Sequence, residues 1–191
     1  MNILQQRIAS NGTQVSEQIV KVDSFLNHQL DIGLFMLLGK EIFHKFGHLN
    51  INKILTVESS SIGIASIAAI YFDLVPVVFA KNSVVPIMAE DMYTASVTPL
   101  ITETKSTLHV ARQYLTPTDR VLVLDDFIAS GETASGLCSL VEQANATVCG
   151  VAAIIEKEFQ GGSARLKNEG YLVDSLAVIT KMDETKIYFK D

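Results

Sequence analysis

The stretch from Val121 to Gly136, VLVLDDFIASGETASG, places the tightest constraint on how this chain folds. It opens with four apolar residues, Val121–Leu124, and a short run rich in β-branched residues is typical of a strand buried on both faces. The carboxylates of Asp125 and Asp126 come next, followed by small residues at 129–133. Apolar residues then recur at the spacing of a helix, at Leu137, Leu140, Val141 and Ala144.

The order of strand, acidic pair, small loop and helix has a chemical meaning. A loop of small residues lets its backbone N–H groups approach an anion, and the start of a helix adds unpaired N–H groups and the positive end of the helix dipole. Such a site suits a phosphate. The two carboxylates suit sugar hydroxyls or a divalent cation. A phosphorylated ribose fits all three features; the alternative is an ordinary strand–turn–helix whose acidic residues cap the turn.

Two other phosphate-binding loops fit this stretch less well. A Walker loop requires a lysine after its second glycine, and Leu137 stands there, although Gly131 and Gly136 have the glycine spacing. A dinucleotide-binding loop has its acidic residue well after the glycines, whereas here the acidic pair precedes them.

An acidic pair after a hydrophobic strand, followed by x-x-[AT]-[ST]-G-x-[TA], resembles the signature of the type I phosphoribosyltransferases. The resemblance implies that Asp125 and Asp126 form the catalytic pair and face the ribose hydroxyls of phosphoribosyl pyrophosphate. It also implies that Mg²⁺ enters with this substrate, with the same two carboxylates as candidate ligands. The loop implied to hold the 5′-phosphate consists of Ala129, Ser130, Gly131, Glu132 and Thr133.

Strands and helices alternate along much of the chain. Strand-like runs occupy 54–58, 75–80 and 147–155, and helical spacing occupies 31–46 and 64–71. Alternation of this kind is typical of an α/β fold with a parallel sheet. The resemblance implies the type I phosphoribosyltransferase fold, a central and mostly parallel sheet flanked by helices. Shorter elements are expected at 1–12, 93–97, 107–112, 162–170, 171–179 and 186–189.

A chain of 191 residues is the size of one domain. Within it we expect a small hood formed by segments 13–30 and 160–191. A polar, Thr-rich connection between two strands predicts a mobile lid at about 82–106.

The charge of the chain bears on its partners. The net charge is −6 and the pI about 5.2, which argues against a nucleic-acid-binding surface. Cys138 and Cys149 lack zinc-site spacing and are expected to be free thiols in a reducing compartment. There is neither a signal-peptide apolar region nor an apolar run long enough to span a membrane. We therefore expect a cytoplasmic protein without a membrane partner.

Three other strand ends carry candidate site residues, and ligands bind at such ends in open α/β sheets. Ser59 and Ser60 follow Glu58 in a second small-residue loop; the alternative is a plain turn. Lys81 could pair with a pyrophosphate, or be a solvated charge. Lys157 can donate to a base carbonyl and Phe159 can stack on a heterocycle; the alternative is a charged loop with one aromatic anchor.

The resemblance extends across nearly the whole chain to the bacterial purine phosphoribosyltransferases that act on xanthine. Its most distinctive segment is VKVDSFLNHQLD at 20–31. It implies a homodimer, and it implies that Val20, Asn27 and Lys157 contact the purine. An Asn amide both donates and accepts hydrogen bonds, which suits the edge of a 2-oxo purine. The other matching segments are 54–60, 75–81, 121–136 and 154–160.

The chain departs from this family near the expected pyrophosphate. Ser61 stands where the family usually has glycine, and Lys81-Asn82 stands where it usually has two basic residues. The second change lowers the positive charge facing the pyrophosphate.

The expected activity is conversion of xanthine and phosphoribosyl pyrophosphate to xanthosine 5′-monophosphate and pyrophosphate, in purine salvage. One alternative is a guanine or hypoxanthine enzyme, because the Asn27 amide can flip. The other is a non-catalytic regulator of the same fold that controls gene expression. The low pI and the lack of an appended DNA-binding domain argue against the regulator.

Overall fold

The structure is a computed structural model that describes residues 1–83, 91–98, 105–183 and 186–190. The helices are α1 (Ile3–Asn11), α2 (Ile32–Phe46), α3 (Ser60–Tyr71), α4 (Glu132–Gln143) and α5 (Gly162–Asn168). The strands are β1 (Thr13–Gln14), β2 (Val20–Lys21), β3 (Lys53–Val57), β4 (Val77–Ala80), β5 (Met92–Val97), β6 (Ser106–Ala111), β7 (Arg120–Ile128), β8 (Thr147–Lys157), β9 (Val173–Met182) and β10 (Ile187–Phe189).

The main sheet has six strands in the order β10-β9-β8-β7-β3-β4. Pairing is parallel from β4 through β9, and β10 is antiparallel at one edge. The predicted α/β fold with a mostly parallel sheet is therefore confirmed. Within the described residues, no helix is both long and apolar enough to cross a membrane.

Strand β7 lies inside the sheet between β3 and β8, and both of its faces are covered. Leu122 and Leu124 pack on the side of α2 and α3, whereas Val121 and Val123 pack on the side of α4. All four side chains are fully buried. Period-two alternation puts neighbours on opposite faces, so the unbroken apolar run follows from burial on both sides.

Several predicted boundaries were wrong. β7 continues to Ile128, so the acidic pair lies inside the strand, and β8 continues to Lys157. Parallel pairing between β7 and β8 extends as far as Ile128 opposite Glu156 and supplies backbone hydrogen bonds over this length. Helix α3 begins at Ser60, not near Ile64, and β4 begins at Val77. A serine hydroxyl often disfavours a helix by bonding to nearby backbone groups. The Ser61 hydroxyl instead bonds to Asp125 and Asp126 of β7, which is compatible with the early start of α3.

Helix starts follow the local signals. Asn2 and Gln5 form a capping box on α1, and the Asp31 side chain accepts a hydrogen bond from the Leu34 N–H at the start of α2. Both devices satisfy N–H groups that a helix leaves unpaired in its first turn.

Two smaller strand pairs complete the described structure. β1 and β2 form a short antiparallel ribbon, followed by a π-helical turn at Asp23–Asn27. β5 and β6 form an antiparallel pair that packs on the α4 side of the sheet. Much of the predicted lid, at 84–90 and 99–104, lies outside the described residues. The division into hood and lid stays a prediction.

Candidate active site

The acidic pair lies in the carboxyl-terminal half of β7, and its two side chains have different environments. Asp125 is 4% exposed, and its Oδ1 accepts hydrogen bonds from the Ser61 hydroxyl and the Asp126 N–H, each at 3.0 Å. Burial, followed by the charge of Asp126, raises the pKa of Asp125 well above its ordinary value. Asp126 is half-buried, and its Oδ1 accepts a hydrogen bond from the Phe127 N–H at 2.9 Å.

A cavity of about 290 Å³ opens beside the pair. Glu58 reaches it from the end of β3, Asp125 and Asp126 from β7, and Thr133 from the start of α4. The ends of two neighbouring parallel strands thus meet at one site, as expected for an open α/β sheet. Its remaining lining residues are Val57, Asn82, Val97, Ser106, Leu108 and Phe127.

The predicted phosphate loop is part loop and part helix. Ala129 and Ser130 precede Gly131, which has φ +79° in the left-handed region, where glycine is not strained. Glu132 and Thr133 form the first turn of α4, so placing them in the loop was wrong. Helices leave their first N–H groups without an intrahelical partner. The segment therefore presents backbone donors beside the acidic pair, as an anion site requires.

The second small-residue loop follows β3. The Glu58–Ser59 peptide is cis, and Ser59 precedes α3 while Ser60 begins it. Asn82, just after β4, bonds to Glu58, just after β3: the Asn82 N–H donates to Glu58 Oε1 at 2.7 Å. Its side-chain amide also donates to the Glu58 carbonyl at 3.3 Å.

Lys81 lines a different cavity from the acidic pair. Its backbone exchanges two hydrogen bonds of 2.9 Å with His109 of β6. It lines a separate, largely apolar cavity of about 330 Å³ together with Phe79 and Tyr114. The structure therefore does not bring Lys81 into the cavity that holds the two aspartates.

Lys157 lies at the end of β8, next to the acidic strand. It is 4% exposed, and its ammonium donates to the Gln18 carbonyl at 2.8 Å. The same ammonium lies 5.4 Å from the centre of the Phe127 ring, within the range of a cation–π contact. Burial lowers the pKa of Lys157 below its ordinary value.

The N-terminal segment supplies the other predicted base contacts. Val20 is buried in β2. Asn27 ends the π-helical turn, and its buried Oδ1 has no hydrogen-bond partner among the described residues. A buried amide oxygen without a partner is costly, so Asn27 retains an acceptor for a ligand. Phe159, in the turn after β8, is 39% exposed.

Sequence reasoning missed Phe127 and Gln18. Phe127 lines the cavity and lies within cation–π range of the Lys157 ammonium, so it links the acidic pair to the predicted base contacts. Its position directly after two carboxylates was the available signal. No sequence signal marked Gln18, because its contact with Lys157 arises only when the β1–β2 connection folds over the end of β8.

Comparison with solved structures shows the same fold in phosphoribosyltransferases. An adenine phosphoribosyltransferase from Giardia lamblia matches with a TM-score of 0.77 at 16% identity, covering 93% of this chain and 98% of the other. That of Rhodothermus marinus matches with a TM-score of 0.72 at 23% identity, covering 92% and 98%. No family model matches the chain.

Sequence relatives with higher identity match the chain over its full length. The xanthine phosphoribosyltransferase of Clostridium tetani is 44% identical over 190 residues, covering 100% of both chains. That of Ruminiclostridium cellulolyticum is 44% identical over 191 residues, again covering 100% of both. With the acidic strand, the phosphate-type loop and the fold already in place, this full-length identity shows that the chain belongs to the xanthine phosphoribosyltransferase family of enzymes.

Proposed function

We propose that this enzyme transfers the phosphoribosyl group of phosphoribosyl pyrophosphate to xanthine, forming xanthosine 5′-monophosphate and pyrophosphate in purine salvage. One observation carries the proposal. Phe127 lines the cavity of the acidic pair, and the buried Lys157 ammonium lies 5.4 Å from the centre of its ring; this arrangement supports placing the base next to the sugar.

The phosphoribosyl half of the substrate would occupy the segment from Asp125 to Thr133. Backbone N–H groups of Ala129–Gly131 and of the first turn of α4 would hold the 5′-phosphate. Asp126 would accept hydrogen bonds from the ribose hydroxyls, since a charged acceptor strengthens such bonds. Ser59 and Ser60 lie at the neighbouring strand end, on the side where we place the pyrophosphate.

Departure of pyrophosphate leaves positive charge on the sugar carbon. The two carboxylates would stabilise that charge from fixed positions, and fixed charges need no reorganisation as the reaction proceeds. Holding base and sugar together removes much of the entropic cost of their encounter. The lid at about 82–106 would exclude water, which competes with the base as nucleophile.

Mg²⁺ fits the chemistry of this site. When bound with phosphoribosyl pyrophosphate, it would neutralise charge on the leaving group. Asp126 and Asp125 are the residues that would hold it, and Mg²⁺ commonly binds one or two carboxylates together with substrate phosphates. Among the described residues, no group of three or more His, Cys, Asp or Glu forms a separate metal site.

The base would bind between the N-terminal segment and the end of β8. Lys157 donates hydrogen bonds and Asn27 both donates and accepts, which matches a purine with carbonyl oxygens. Val20 and Phe127 provide apolar surface for the ring. The Asn27 amide can flip, so guanine and hypoxanthine are the rival bases to test.

A second copy of the chain would cover the exposed side of α2 and α3. Ile32 and Leu37 of α2 and Ile70 of α3 are 52%, 47% and 46% exposed, and Leu74 just beyond α3 is 74% exposed. Exposed apolar side chains on two helices that pack together support an interaction surface here. We propose a homodimer, which light scattering would report as twice the chain mass. We place it in the cytoplasm, where free thiols such as Cys138 and Cys149 stay reduced.

The direct test is to mix the protein with phosphoribosyl pyrophosphate, Mg²⁺ and each purine in turn. Pyrophosphate release with xanthine, accompanied by a nucleotide with the mass of xanthosine 5′-monophosphate, is the expected result. No pyrophosphate with any base would contradict the proposed enzyme. Faster pyrophosphate release with guanine or hypoxanthine than with xanthine would keep the proposed reaction but show that xanthine is not the preferred base.

A further inference from the structure

The phosphate-type loop rests against the backbone of Gly162, at the start of α5. The Gly162 N–H donates to the Ala129 carbonyl at 3.0 Å. On the other side of the contact, a Cβ placed on Gly131 would lie 3.1 Å from both the Cα and the carbonyl oxygen of Gly162. The two glycines therefore touch backbone to backbone.

The contact leaves no room for a side chain at position 162. A Cβ there would lie 2.4 Å from the Ala129 carbonyl oxygen, 2.4 Å from the Gly131 nitrogen and 2.5 Å from the Ser130 carbonyl carbon. All three are backbone atoms of the loop, and they cannot swing aside as the end of a flexible side chain does. A methyl group at Gly162 must displace the loop or α5.

A second contact joins the same two segments. Arg165, one turn into α5, forms an ion pair with Glu132 in the first turn of α4. Helix α5 thus touches both the loop and the helix start that follows it. Anion binding by a loop depends on where its N–H groups point, so the position of α5 bears directly on the affinity of this loop.

We propose that Gly162 is a positioning residue for the 5′-phosphate, which holds the Ala129–Gly131 backbone in its binding conformation through direct backbone contact. This inference rests on the proposed function, because it assumes that the loop binds the phosphate. Gly162 itself acts through the loop and does not touch the substrate.

Gly161 offers a matched control. It has φ +77°, and a Cβ there would meet nothing within 4 Å among the described residues. Asn tolerates the left-handed region better than other residues with a side chain. Gly161→Asn therefore changes the adjacent residue without pushing on the loop, whereas Gly162→Ala adds one methyl group that does.

The test measures ribose 5-phosphate binding by calorimetry and steady-state kinetics for both variants. For Gly162→Ala we expect a loss of at least about tenfold in ribose 5-phosphate affinity and a similar rise in KM for phosphoribosyl pyrophosphate, because small misplacements of binding groups are costly. KM for xanthine and kcat should change by less than about threefold, and Gly161→Asn should stay within about threefold throughout. Unchanged ribose 5-phosphate affinity in a folded Gly162→Ala protein overturns the inference.

If Gly162→Ala fails to fold, amide hydrogen exchange on the unmodified protein tests whether Gly162 positions the loop. Ribose 5-phosphate should slow exchange of the Gly162 N–H, since its acceptor is a loop carbonyl that the ligand orders. Unchanged exchange with bound ligand overturns the inference while leaving the proposed function intact. Failure of the unmodified protein to bind ribose 5-phosphate overturns both.

Discussion

The Ser61 hydroxyl donates to Asp125 Oδ1 and accepts a hydrogen bond from the Asp126 N–H, both at 3.0 Å. Ser61 is fully buried in the first turn of α3, and Asp125 is 4% exposed at the end of β7. One hydroxyl thus fixes the acidic pair from the neighbouring strand–helix unit. A glycine at this position could make neither bond.

Replacing Ser61 by alanine should therefore loosen the acidic pair. Leaving a buried acceptor without its hydrogen bond costs about 1–3 kcal/mol of stability, and kcat should fall by about tenfold as Asp125 loses its fixed orientation. Urea unfolding and turnover measure the two effects. Thr56→Val is the control, because the buried Thr56 hydroxyl has no partner in the described part of the chain. Equal behaviour of the two variants would contradict the role of Ser61.

Asp126→Asn should abolish turnover while the protein stays folded. Asp126 lines the cavity at the end of β7 and is only half-buried, so an amide of the same size fits but removes the charge that would face the sugar. Pyrophosphate release and circular dichroism check the two parts. Asp174→Asn, which removes a carboxylate paired with Lys45 at the surface, should keep normal activity. Near-normal turnover of Asp126→Asn would refute the ribose assignment.

The lowered pKa of Lys157 gives an expected pH dependence. Burial disfavours the ammonium, so the folded protein releases this proton below the ordinary lysine value of 10.5. The ratio of kcat/KM for xanthine between the wild type and Lys157→Met should therefore fall as pH rises, with a midpoint below 10.5. The exposed Lys167→Met serves as control and should show a constant ratio. A constant ratio for Lys157→Met would contradict a charged base contact.

The lowered pKa of Lys157 also affects stability, and its contribution to stability should rise with pH whereas the activity ratio should fall. Between the lowered pKa and 10.5 the unfolded chain binds more protons at Lys157 than the folded chain. The Lys157 contribution to the free energy of unfolding should therefore rise with pH in this window and be smallest below it. Unfolding by urea at several pH values, compared with Lys157→Met, isolates the contribution. A contribution that falls as pH rises would contradict the burial of the charged group.

The two cysteines should react differently with a thiol reagent. Cys138 is fully buried, and burial, with Glu142 and Glu169 nearby, raises its pKa to about 12; the thiolate is the reactive form. Cys149 is partly exposed. Ellman's reagent at mildly alkaline pH should label Cys149 alone in the native protein and both thiols in denaturant. Native labelling that persists in Cys149→Ser would show that Cys138 is accessible.

The reaction class was readable from the sequence because its signals are local. The apolar run Val121–Leu124, the acidic pair and the loop before α4 are contiguous, and each fixes its own conformation by burial or by turn chemistry. The parallel pairing of the main sheet followed from the same logic, since alternating strands and helices favour a parallel sheet.

What the sequence did not reveal are contacts between segments that are distant along the chain. Ser61 meets Asp125 only after α3 packs beside β7, and Gly162 meets Ala129 only after α5 turns back from β8. The backbone pairing of Lys81 with His109 on β6, and its place in a different cavity from the two aspartates, were likewise not readable from the sequence; its predicted contact with pyrophosphate stays a prediction. Residue type alone does not encode such partners.

Competition between bases is the sharpest test of xanthine as the substrate. Equal concentrations of xanthine, guanine and hypoxanthine are mixed with the protein, Mg²⁺ and limiting phosphoribosyl pyrophosphate, and the nucleotide products are separated by chromatography. Product ratios then report relative kcat/KM in one reaction. We expect xanthosine 5′-monophosphate to predominate. Xanthosine 5′-monophosphate as the least abundant nucleotide, or no nucleotide at all, would contradict it.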